Sequence, residues 1–152
     1  MVEIKKKPEP PGGKQPQLSD FSMEDILARV LWGEAEGEGA EGMQAVGNVI
    51  MNRVERDSKY DADAQDIVME YKQFSSVGDP KRLEAMMNLS KDNQEYIQAL
   101  EISKKLLAGE IEDITGGATH FYNPNTANMD EKWIKEYPVT FKLKNHWFAK
   151  GN

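Results

Sequence analysis

The chain has 152 residues, with 26 acidic against 19 basic side chains, a formal net charge of −7 and no cysteine. That length suits one domain able to bury a core. The acidity argues against a partner that presents phosphates, such as nucleic acid. Without cysteine there are neither disulfides nor thiolate zinc ligands, so packing must hold the fold in either redox compartment.

Met1 to Gln17 carries Lys5, Lys6, Lys7 and Lys14 among prolines but no apolar run. It reads as a flexible arm over residues 1–17, neither a signal peptide nor a membrane anchor. The domain proper is expected over residues 18–152, with no membrane insertion. Ser22, with Asp25 three residues on, is a candidate N-cap for a helix running to about Ala35. A second helix is expected from Glu41 to Arg56, with Val46, Val49, Ile50, Arg53 and Val54 on one face. Asp63 or Asp66 opens a short helix to Tyr71. Pro80 suits the first turn of a helix through Leu89. Asp92 with Glu95 forms a capping box for a longer helix through Leu107, stopped by Gly109. Beyond Asp113 the glycines and Asn123-Pro124 mark loops, and Val139 to Leu143 alternates as a strand does. The expected class is α+β, mainly α.

Within the first helix, the apolar stripe ends abruptly in Glu34-Ala35-Glu36-Gly37-Glu38-Gly39. Glycines disfavour continuation, so Glu34 is expected near a helix C-terminus, where the macrodipole is negative and the last carbonyls lack partners. An ionised carboxylate is disfavoured there, so the carboxyl of Glu34 is expected to hold its proton to higher pH. A protonated carboxylic acid near neutral pH is what cleavage of a glycosidic bond requires. Glu38, four residues on, is the auxiliary candidate: a continuing helix would put it on the face of Glu34, whereas a break would leave it to brace the loop. Glu36 would point away and be solvated.

Glu34 to Glu38, with Glu41-Gly42-Met43-Gln44-Ala45-Val46 and Asn48 to Val54 after it, resembles the opening signature of the spore-cortex-lytic cell-wall hydrolases, the SleB/CwlJ family. Gln73-Phe74-Ser75, Gly116 to Pro124, and Trp133 with His146-Trp147-Phe148 follow in that family's order. The family often carries arginine where this chain has Glu36. The resemblance implies a lysozyme-like single domain of the lytic-transglycosylase and goose-lysozyme type. It also implies Glu34 as the catalytic acid and a reaction in which the sugar's own hydroxyl attacks the anomeric carbon, giving a 1,6-anhydromuramic end. A single acid/base suffices for that route, whereas a muramidase needs an opposed second carboxylate, and none stands out beyond the Glu34 cluster.

Gln73, Ser75, His120, Tyr122 and Asn123 offer neutral hydrogen-bonding groups and ring faces suited to sugar, and they are the candidate substrate-binding residues. Phe74 and Phe121 read as packing under the loops. His120 and His146, the only histidines, lack zinc-site spacing and a third ligand, so neither a metal nor another cofactor is expected. Ser75 lacks a nucleophile-elbow setting. Lys132, Lys135, Lys142, Lys144 and Lys150 outnumber Glu131 and Glu136 and would give one basic patch or an ordinary mixed surface. The expected activity is cleavage of peptidoglycan between N-acetylmuramic acid and N-acetylglucosamine by a monomer acting at the bacterial wall, as a phage or virion lysin or as a truncated form. The alternatives are a hydrolytic muramidase and a non-catalytic glycan-binding or phage structural module.

Overall fold

The computed structural model describes residues 20–57 and 79–151. Helix α1 spans Met23–Ala35, and its cap is the expected one: the Ser22 side chain accepts from the Asp25 N–H at 3.2 Å. A 3₁₀ turn over Glu36–Glu38 leads into α2, Gly39–Asp57. The turn is made by Gly39 at φ 76, a left-handed conformation that glycine adopts without Cβ strain. Helix α3 is Pro80–Met87, with Pro80 in the first turn and the Asp79 side chain accepting from Lys81 N–H and Arg82 N–H. It stops two residues before the expected Leu89. Helix α4 is Gln94–Leu107. Its N-cap is Asn93, which accepts from Tyr96 N–H at 2.9 Å, so the cap lies one residue beyond the expected Asp92. Asp92 instead takes part in a turn with Ser90.

After a long loop come strand β1 (His120–Tyr122), helix α5 (Lys132–Glu136), strand β2 (Val139–Leu143) and strand β3 (His146–Ala149). The strands form one antiparallel sheet in the order β1-β3-β2. Only β2 was anticipated, because β1 and β3 are too short to show alternation. The helix anticipated before Tyr71, Gln73, Phe74, Ser75 and the 1–17 arm lie outside the described residues.

Helix α1 is the centre of the molecule, packed against α2, α3 and α4. Ile26, Leu27, Val30 and Leu31 are fully buried, together with Met43, Val46, Ile50, Met86 and, from the sheet, Phe148. Phe121 stacks on Phe148 at 5.8 Å between ring centroids, so it packs as expected. Burial of this apolar surface is the main source of stability in a chain without cross-links.

Two arginines tie α1 to α3 reciprocally. Arg29, buried on α1, donates to Met86 O at 2.6 Å and Met87 O at 3.1 Å, closing the C-terminus of α3. It also bonds Asp25 at 2.9 Å. From α3, Arg82 donates to Gly33 O at 3.0 Å and Trp32 O at 3.5 Å, closing the C-terminus of α1. Each guanidinium meets the negative end of the other helix, a favourable place for a cation. Asp25 also accepts from the Tyr96 hydroxyl at 2.7 Å; burial first, then this carboxylate, pushes the Tyr96 pKa up to about 12.

Candidate active site

Glu34 sits half-buried in the last turn of α1, where the sequence put it. One premise of the electrostatic argument needs correction. The last carbonyls of α1 do have partners: Arg82 takes those of Trp32 and Gly33, and the Glu36 N–H also donates to Trp32 O. Arg82 further stacks over the Trp32 ring at 4.5 Å and pairs with Glu36 at 3.5 Å, so Glu36 is held rather than simply solvated. The negative end of α1, from which Glu34 projects, is therefore already met by a cation. Sequence gave no local signal for this, because Arg82 lies 49 positions beyond Gly33.

Glu38 follows the break. It is 8% exposed, and its side chain is turned into the protein. Its Oε1 lies 2.6 Å from His146 Nδ1, its Oε2 accepts from Asn145 N–H at 3.2 Å, and its backbone carbonyl accepts from Lys144 Nζ at 3.1 Å. The loop-bracing alternative holds, and continuation of α1 to bring Glu38 onto the face of Glu34 does not.

Helix α2 supplies the second wall. Gln44, Asn48 and Asn52, spaced by four residues, form a polar stripe that grips the incoming loop. Gln44 donates to Glu112 O at 2.9 Å, Asn48 accepts from Ile114 N–H at 3.1 Å, and Asn52 donates to Ala118 O at 2.8 Å and to Asp113 at 3.0 Å. Arg53 Nε donates to Thr119 O. Asp113 in turn accepts from Thr115 N–H, Thr115 Oγ1 and Gly117 N–H. Burial alone would raise the Asp113 pKa, but these hydrogen bonds hold it below the ordinary carboxylate value. The stripe was visible as three polar residues at helical spacing, yet nothing local showed that it holds the loop that delivers β1.

On β1, side chains alternate between the two faces of the sheet. Phe121 points inward with Phe148 and meets the His146 ring edge-on at 5.2 Å. His120 and Tyr122 point to the other face. There Trp133 lies 4.9 Å from His120 and 5.5 Å from Tyr122, and Tyr137 lies 5.0 Å from His120. Trp147, the cross-strand partner of Tyr122, is 6.0 Å away, with Lys142 Nζ 4.0 Å over its ring. His120 Nδ1 is 2.9 Å from Thr119 Oγ1. Burial, then the positive charges of Arg53 and Arg56, lower the His120 pKa to about 4, so the ring is neutral at neutral pH. Burial also raises the Tyr122 pKa. Asn123 Oδ1 accepts from Asn125 N–H at 2.9 Å, shaping the turn after β1.

The candidates thus fall into two groups. Glu34 and Glu38 form the α1–α2 corner, whereas His120 and Tyr122 belong to the aromatic face of the sheet. The sheet links them: His146 of β3 reaches Glu38 from the Phe121 face, whereas its neighbour Trp147 joins Tyr122 on the opposite face. Gln73 and Ser75 lie outside the described residues. Four of the five lysines anticipated as one basic patch are individually engaged: Lys132 with Glu136 at 3.9 Å, Lys135 with Asp130 at 3.8 Å, Lys144 at Glu38 and Lys142 on Trp147.

A mainly helical domain with a small antiparallel sheet is the lysozyme-like fold of the SleB catalytic domain. The chain superposes on the catalytic domain of the germination-specific lytic transglycosylase SleB from Bacillus anthracis with a TM-score of 0.63 at 30% identity, over 86% of this chain and 97% of that one. The corresponding Bacillus cereus SleB domain gives 0.64 at 29% identity, over 93% and 95%. The family model for cell wall hydrolases matches residues 37–149, and the chain belongs to that family. The spore cortex-lytic enzyme of Bacillus cereus is 32% identical over 146 residues. That match takes in 93% of this chain but 50% of the relative, so the chain spans about half the length of the curated relatives it matches.

Proposed function

We propose that this domain cleaves the glycan strands of peptidoglycan between N-acetylmuramic acid and N-acetylglucosamine as a lytic transglycosylase, with Glu34 as its single acid/base. The observation that carries this reading is the position of Glu34, half-buried in the last turn of the central helix, in a fold shared with the SleB catalytic domains. Glu34 delivers a proton to the leaving glycosidic oxygen, then takes one from the muramic C6 hydroxyl as that oxygen closes on the anomeric carbon. The proton balance closes on one carboxyl, and the product is a 1,6-anhydro ring.

One feature favours this over hydrolysis. Glu38 has both carboxylate oxygens engaged by His146 and Asn145, and Glu36 is paired with Arg82, so both are poorly placed to activate water. Tyr122 at the end of β1, Asn123 just after it and the neutral His120 offer rings and uncharged polar groups rather than charge, as sugar recognition requires. By this reading they line the strand-binding face. Gln73 and Ser75 are proposed as further sugar-binding residues.

The test is Glu34→Gln, which keeps shape and removes the transferable proton. Release of soluble fragments from purified peptidoglycan should fall by about 10²–10⁴-fold with an unchanged circular-dichroism spectrum. Turnover within about threefold of the parent refutes the assignment.

A further inference from the structure

Glu38 is buried at the corner with both carboxylate oxygens hydrogen-bonded, and neither step of the reaction uses it. Every group that restrains it comes from one place, the β2–β3 hairpin more than a hundred residues away: His146 at 2.6 Å, Asn145 N–H at 3.2 Å and Lys144 Nζ at 3.1 Å. The hairpin tip is shaped for this. Leu143 pairs with His146, leaving Lys144 and Asn145 as a two-residue loop. Lys144 has φ 51, the left-handed value that the first position of a primed hairpin turn takes. The helical side is shaped for it as well. A Cβ on Gly42 would stand 2.6 Å from Glu38 Cβ and 3.7 Å from Ala35 Cβ, so glycine there lets the Glu38 side chain lie across the start of α2, against the residue that follows Glu34. The His146 ring is itself fixed edge-on by Phe121 at 5.2 Å and by Phe148 at 6.2 Å.

We infer that the Glu38–His146 pair is a positioning clasp: it locks the 3₁₀ corner to the sheet and thereby fixes the end of α1 from which Glu34 acts. This rests on the role of Glu34 proposed above. The hydrogen bond needs Glu38 as an acceptor and His146 as a donor, and the clasp requires no proton exchange with substrate. An amide at position 38 keeps an oxygen for His146 and loses only the acceptor for Asn145 N–H, so a clasp largely survives it, whereas a catalytic carboxylate does not. Misplacing an acid by an ångström typically costs about a hundredfold in rate.

The experiment compares Glu38→Gln, Glu38→Ala, His146→Phe and the Glu38→Ala/His146→Phe double variant with the parent. Steady-state kinetics on soluble glycan oligomers are read alongside amide hydrogen exchange over residues 33–39. The clasp predicts that Glu38→Gln keeps turnover within about threefold. Glu38→Ala and His146→Phe should each lose roughly ten- to a hundredfold in kcat with KM within about twofold. The double variant should be no worse than the poorer single one, because both remove the same contact. Exchange at the corner should rise at least tenfold in His146→Phe while α4 is unchanged.

Loss of activity in Glu38→Gln as deep as in Glu34→Gln overturns the inference and makes Glu38 catalytic. Parental kcat in both Glu38→Ala and His146→Phe, or unchanged corner exchange, overturns it too. Should Glu38→Ala fail to fold, His146→Phe decides alone. An inactive parent refutes the proposed function instead, and the exchange data then decide whether the clasp holds the corner.

Discussion

His120 makes stability depend on pH in a direction fixed by its surroundings. Its ring is packed between Trp133 and Tyr137, and burial, then Arg53 and Arg56, bring its pKa from 6.5 to about 4. Because the folded value is depressed, the unfolded chain takes up the proton first as pH falls. The contribution is fully present above about pH 6.5 and shrinks as pH drops toward about 4, below which folded and unfolded rings titrate alike. At about 1.4 kcal/mol per pH unit the ceiling is roughly 3 kcal/mol, and because the ring is only partly buried a realistic figure is about 1–2 kcal/mol. Urea unfolding of the parent and of His120→Phe, which keeps the ring stack, reads this out at pH 7.5 and pH 4.5. Shared carboxylates cancel in the comparison. The parent should lose more stability than the variant by that amount, a midpoint difference of roughly 0.3–2 M for an m-value of about 1–3 kcal/mol/M. Equal losses in both proteins would refute the assignment of a buried, neutral His120.

Two further outcomes test the packing that carries the site. Phe148→Ala, at a fully buried position linking sheet to helices, should cost about 3–5 kcal/mol and lower the thermal midpoint by roughly 10 °C; a loss below about 1 kcal/mol would show that the sheet is not part of the core. Arg29→Met leaves the Met86 and Met87 carbonyls and Asp25 without their cation and should cost about 2–4 kcal/mol by chemical denaturation; a neutral effect would refute reciprocal capping as a stabilising device.

What could be read in the sequence was what local chemistry decides. Ser22 and Pro80 announced helix starts because caps and first turns act over three or four residues. Glu34 was legible for the same reason, since glycines after an apolar stripe place it at a helix end. Strands β1 and β3 were not legible, because three or four residues show no period. Nor was the immediate environment of Glu34 and Glu38. Arg82 reaches Gly33 across 49 positions and His146 reaches Glu38 across 108, and such pairings exist only once the chain has folded. That is why the sequence argument assigned Glu34 an end with unmet carbonyls, whereas the fold closes that end with an arginine.

The central claim is that one carboxyl performs the whole reaction and water takes no part. Digestion of purified peptidoglycan in ¹⁸O-labelled water, with mass spectrometry of the fragments, tests it directly. The account predicts 1,6-anhydromuramic ends carrying no label. Reducing muramic ends with ¹⁸O incorporated would contradict it and make the domain a hydrolytic muramidase.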